Sequence, residues 1–134
     1  MKKLILLLVI VLASSMLLSA CGSGASTSLK VTMNDFSYTP MEMKIPAGKE
    51  ITLTATNDGK VDHEFVIMKK GTAVTTPFND DDEPNVYWEV EVKPGKTETV
   101  TFTSPADVGE YQVVCGTPAH FEAGMVAKLV VMNP

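Results

Sequence analysis

Histidine and cysteine are scarce in this chain of 134 residues: each occurs twice. Two cysteines allow one disulfide at most, and two histidines leave none over for a second histidine-rich metal centre. Positive charge is also short. Eleven Lys/Arg face sixteen Asp/Glu, a formal charge of −5, which argues against nucleic acid or adhesion to anionic lipid and favours a basic partner if a charged one exists. There is no internal repeat and no amphipathic helical pattern of ten or more residues. The apolar run over residues 4–18 falls short of the ~20 residues that a membrane-spanning helix needs.

That run has a different use. Lys2 and Lys3 precede it, and Ser19, Ala20 and Cys21 follow, the layout of a secretory signal. The stretch "LLSAC" also resembles a bacterial lipobox. The resemblance implies removal of residues 1–20, lipidation of Cys21 and an extracytoplasmic protein anchored to a membrane, since several acyl chains hold firmly where one is marginal. Removal takes away two lysines and no acid, so 114 residues remain with a formal charge of −7. Residues 21–28, the lipidated cysteine and "GSGASTS", form an expected flexible tether of ~15 Å r.m.s. span. Residues 29–134 suit one domain with its own core.

The domain is expected to be all-β. "LKVTMNDF" (29–36), "MEMKI" (41–45), "EITLTATN" (50–57), "DHEFVIM" (62–68), "VYWEVEV" (86–92), "TETVTFT" (97–103), "GEYQVVC" (109–115) and "MVAKLVVM" (125–132) give about eight short strands. Their spacing, β-branched content and Gly/Pro/Asn punctuation predict an antiparallel, Greek-key β-sandwich or barrel. Residues 69–85 are the one insertion-like segment, with the acidic run Asp80, Asp81, Asp82 and Glu83. The segment reads as a solvated loop with a short helical turn, or as a docking patch for a basic redox partner. Its spacing does not suit a calcium loop.

The densest chemistry is "CGTPAHFEAGM" (115–125). Gly116, Pro118 and Gly124 let a short loop fold back between two strands, so that Cys115, His120 and Met125 can aim at one point. His63, at the start of the strand after "NDGKVD", is the one remaining histidine. Cu(I) accepts thiolate and thioether readily and imidazole also suits Cu(II), so two histidines, one cysteine and a weak axial methionine form the ligand set of an electron-transfer copper site.

With "NDGKVDH" opening a strand and C-x4-H-x4-M closing the domain, nearly all of residues 29–134 resembles the cupredoxins, the plastocyanin/azurin group of type 1 blue copper proteins. With a lipid anchor the whole resembles the auracyanin type. The resemblance implies that His63 and His120 bind one copper through ring nitrogens, Cys115 as thiolate and Met125 as the long axial ligand, with a weak contact from the Asp62 carbonyl. It implies a monomeric electron carrier, not an enzyme, that serves redox proteins such as a cytochrome or a membrane oxidoreductase. His120 would be the electron port, ringed by Pro118, Ala119 and Phe121. Two departures stand out. Ala119 occupies a position where many members carry glycine, and Glu64 one where plastocyanins and azurins usually carry the Asn that tethers the two ligand loops.

Other chemistries compete. A zinc site would use Cys115, His63, His120 and Glu122. A copper carrier or store would add Cu(I) ligands such as Met33, Met41 and Met43, although alternating Met on a strand is more often core. A Cys21–Cys115 disulfide would have to join a floppy tether to the far end of the domain, and a lipid-anchored adhesive sandwich would bind no metal.

Overall fold

The computed structural model describes residues 24–72, 74 and 76–134. Residues 1–23, which include the expected signal segment and Cys21, lie outside the described residues. Nine strands follow in order: β1 (Ser28–Asn34), β2 (Ser37–Thr39), β3 (Glu42–Pro46), β4 (Glu50–Asn57), β5 (His63–Met68), β6 (Val86–Val92), β7 (Thr97–Thr103), β8 (Gly109–Val114) and β9 (Val126–Met132). A single 3-10 turn, Glu83–Asn85, interrupts them among the described residues, and no helix there is long and apolar enough to cross a membrane.

The strands form two sheets, β2-β1-β4-β7 and β3-β9-β8-β5-β6. Period-two patterning decides what lies between them. In β4, Ile51, Leu53 and Ala55 are buried, while Thr52, Thr54 and Thr56 point outward. Thr56 and Thr97 meet across that outer face at 2.9 Å. The inner faces contribute one core that runs from Leu29 and Val31 to Leu129 and Val131. Met33 and Met43 belong to that core and Met41 is exposed, so the methionines of "MEM" and Met33 are not grouped as ligands. Trp88, on edge strand β6, stacks on Phe102 with ring centroids 4.5 Å apart.

Three expectations need correction. Pairing is not purely antiparallel: β1 runs parallel to β4 (Val31↔Ala55) and β3 parallel to β9 (Ile45↔Val131). The chain crosses to the second sheet as β3 before it returns as β4, and a crossover of this kind is what a parallel pair requires. The stretch 29–36 is not one strand, because the chain turns at Asp35–Phe36 and β2 pairs back on β1 with Asn34 opposite Ser37. The tether ends earlier than residue 28: Ser26 N–H donates to Lys44 O at 2.9 Å, and Thr27 O accepts from Thr52 N–H at 2.8 Å.

Segment 69–85 is also more than a solvated loop. Strand alternation turns Val66, Met68 and Val114 away from the main core, and Val74 covers them in a second apolar cluster with Phe78, Val86 and Phe121 packed against it. Lys69 N–H to Asn85 O, 2.7 Å, closes the neck of the segment.

Candidate metal centre

β5 and β8 are antiparallel neighbours, with Val66 opposite Val114 and Ile67 opposite Val113. The start of β5 and the end of β8 therefore share one end of the sandwich, and that brings His63 beside Cys115 across 51 intervening positions of sequence. His63 Nδ1 lies 3.1 Å from His120 Nδ1. Cys115 Sγ lies 3.4 Å from His120 Nδ1 and 3.9 Å from His63 Nδ1. All three residues are buried, and one ligand atom from each falls within 4.8 Å of the others.

The loop between β8 and β9 holds its own shape through backbone bonds. His120 N–H donates to Thr117 O at 3.1 Å, Met125 N–H to His120 O at 3.0 Å, and Cys115 N–H to Met125 O at 3.3 Å. Met125 is thereby bonded to both loop ligands, and its side chain is fully buried in the main core with Cys115. Ala119 sits at φ 71°, a left-handed conformation that favours glycine. This accounts for glycine at that position in many cupredoxins.

His63 depends on residues from elsewhere. Buried Asn57 shapes the preceding turn: its Nδ2 donates to Val61 O (2.8 Å) and Val92 O (2.7 Å), and its Oδ1 accepts from Gly59 N–H (2.8 Å). The Thr117 hydroxyl donates to Asp62 O at 2.9 Å and joins the two ligand loops. Glu64 N–H points at Cys115 Sγ at 3.4 Å, and the buried Tyr38 hydroxyl donates to Glu64 O at 2.5 Å. The side chain of Glu64 lies over Gly116, where an added Cβ would collide with its Oε2. Burial first, and then Glu89, Glu91 and Glu83, push the Glu64 carboxyl up, while a Gly116 N–H bond opposes them. The loop tether that Asn provides in relatives is thus divided here between Thr117 and Glu64.

Two further residues touch the histidines from the β1–β2 turn. Asp35 Oδ1 lies 3.3 Å from His63 Nε2 and accepts Lys60 N–H at 3.0 Å. Phe36 meets the His120 ring edge-on, with centroids 5.2 Å apart. Asp35, Phe36, Tyr38, Asn57 and Thr117 are not legible as site residues in the sequence; of these, only Asn57 carries a signal, as the head of an Asn-Asp-Gly turn.

The remaining candidates separate. Pro118 and Ala119 are exposed beside His120, which is itself only 5% exposed. Phe121 is half-buried against the second cluster, so Phe36, at 50% exposure, takes its expected place at the ring. Asp80, Asp81 and Glu83 are exposed, and the Asp82 carboxylate accepts Asn79 N–H at 3.1 Å within its own turn. Glu122 is exposed and outside the ligand cluster, which removes the fourth ligand of the zinc alternative. Among the described residues Cys115 has no disulfide partner.

This donor set suits copper. Burial, and next the neighbouring His63, hold His120 below the ordinary imidazole value, which keeps its lone pair available to a metal. A thiolate and a thioether add the soft donors that Cu(I) prefers, and two imidazoles satisfy Cu(II).

Known proteins agree with the geometry. The cupredoxin-like domain family matches residues 4–131. Auracyanin-A of Chloroflexus aurantiacus is 28% identical over 156 residues, covering 94% of this chain and 95% of its own. The copper-resistant cuproprotein CopI of Rubrivivax gelatinosus is 28% identical over 114 residues, covering 80% of this chain and 67% of its own. The crystal structure of dithionite-reduced auracyanin from Roseiflexus castenholzii superposes with a TM-score of 0.69 at 31% identity, covering 82% of this chain and all of that one (100%). His63, Cys115, His120 and Met125 are arranged as a type 1 copper site, and the chain belongs to the cupredoxin-like family.

Proposed function

We propose that the protein is a blue copper electron carrier, held at the extracytoplasmic face of a membrane by lipidated Cys21, that passes single electrons between redox proteins such as a cytochrome and a membrane oxidoreductase. The observation that carries this reading is the buried cluster of His63, Cys115 and His120 with all ligand atoms within 4.8 Å. Bound copper supplies a one-electron Cu(II)/Cu(I) couple. The chain's own part is to keep the donors fixed: both ligand loops are hydrogen-bonded to each other, so either charge state of the metal meets the same frame. Met125 is buried in the main core with Cys115, and a metal held by four protein donors has no open position for a substrate, which favours electron transfer over enzymatic turnover. The buried His120 lies just beneath the exposed Pro118, Ala119 and Phe36, a small apolar rim suited to brief docking.

Similarity to CopI favours a second reading, a periplasmic copper carrier or store. Metal exchange separates the two. Copper-loaded protein would be cycled ten or so times between ascorbate and ferricyanide in the presence of a strong Cu(I) chelator. An electron carrier keeps its copper through the cycles, and a carrier of copper surrenders it to the chelator at the first reduction.

A further inference from the structure

Asp35 and Phe36 form a two-residue turn that touches both histidines at once. β1 and β2 pair up to Asn34 opposite Ser37, so these two residues are the whole turn. One presents a carboxylate 3.3 Å from His63 Nε2, and the other lays its ring against His120. Phe36 takes φ 67° to do so, a left-handed conformation that a residue with a Cβ ordinarily avoids. Space is reserved on the other side as well. A Cβ at Gly59 would run into Asp35 Oδ1 and stand 2.5 Å from His63 Nε2.

A carboxylate only accepts hydrogen bonds, so the His63 ring must be the donor and must carry its proton on Nε2. Nδ1, the atom that faces Cys115 and His120, then holds the free lone pair. Metal-binding imidazoles that donate their second N–H to a carboxylate are fixed in tautomer and orientation and become more basic donors.

We propose that Asp35 is the positioning residue for His63: its carboxylate takes the Nε2–H, fixes the Nδ1 lone pair toward the metal and strengthens that donor, which favours Cu(II) over Cu(I). The proposal rests on the reading of this cluster as a copper centre. Asp35 is 38% exposed on its side chain, so solvent weakens the effect of its charge without removing the directed bond.

Asn at position 35 keeps an oxygen for both Lys60 N–H and His63 Nε2–H but removes the charge, whereas Ala removes the bond itself. Asp58, an exposed carboxylate in the neighbouring turn with no bond to a ligand, provides the control for net charge through Asp58→Asn. Measured on the full chain in mild detergent, Asp35→Asn is expected to move the Cu(II)/Cu(I) affinity ratio about tenfold toward Cu(I), a rise of about 59 mV in reduction potential for one electron. Asp35→Ala should move it further, and Asp58→Asn should change it less than twofold. The metal-free full chain gives an independent readout by long-range proton–nitrogen NMR: His63 as the Nε2–H tautomer in the natural sequence and in Asp35→Asn, and a mixture of tautomers in Asp35→Ala. An Nδ1–H tautomer for His63 in the natural sequence, or equal shifts for Asp35→Asn and Asp58→Asn, would overturn the proposal even if Asp35→Ala fails to fold. A natural chain that takes up no copper but shows the Nε2–H tautomer would sink the copper reading and leave the Asp35–His63 bond standing.

Discussion

The two histidines of this site are held in opposite ways. His120 lies in an eleven-residue loop whose backbone bonds run among Cys115, Thr117, His120 and Met125, all of them within the loop. His63 is held by side chains, one in the preceding turn, Asn57, and two from distant segments, Thr117 through Asp62 and Asp35 from the first hairpin. One ligand is fixed by local sequence and the other by tertiary structure. Changes around His63 should therefore propagate into the fold, while changes around His120 should stay local.

Asn57→Ala is the strongest way to break the His63 side. It removes two buried donors' bonds and one acceptor's bond and strands the carbonyls of Val61 and Val92, so we expect a loss of about 2–4 kcal/mol in chemical denaturation together with weaker copper binding. A loss below about 0.5 kcal/mol would mean that the turn does not depend on this side chain. Thr117→Val tests the bond that joins the two loops. It keeps the volume and deletes one half-buried hydrogen bond to Asp62 O, for an expected cost of about 1 kcal/mol, and the spectrum of bound copper should broaden as the loops separate. The smallest effect belongs to the His120 side. Ala119→Gly relieves a left-handed alanine at φ 71°, and after the extra entropy of the unfolded glycine a gain of roughly 0.5 kcal/mol should remain, with the copper spectrum unchanged. A destabilised Ala119→Gly would show that the loop does not hold that conformation in solution.

The same contrast explains what sequence could reveal. Cys115, His120 and Met125 are legible because a short loop keeps its ligands close in sequence, and His63 because no other histidine competes with it. Most strands are legible from alternation, as in β4, where every second residue is buried. The turn at Asp35–Phe36 is not. A phenylalanine at positive φ contradicts its own preference, and "KVTMNDF" continues as a strand until tertiary contacts fold it back. Nor are the parallel pairs legible, because local pattern cannot say which sheet a strand joins. The packing of segment 69–85 escapes for a related reason: its apolar residues, Val74 and Phe78, are too few to outweigh the acidic run beside them until the outer face of β5 and β8 is in view.

The central claim is that His63, Cys115, His120 and Met125 form one copper centre with the thiolate as a ligand. Its most direct test is a titration of residues 24–134, which contain every described strand, with one equivalent of Cu(II). Visible absorption and electron paramagnetic resonance are followed, with Cys115→Ser alongside. The account predicts intense thiolate-to-copper charge-transfer absorption that a reductant bleaches reversibly and that the serine variant lacks. A colourless protein with its cysteine still free to react with a thiol reagent would contradict it.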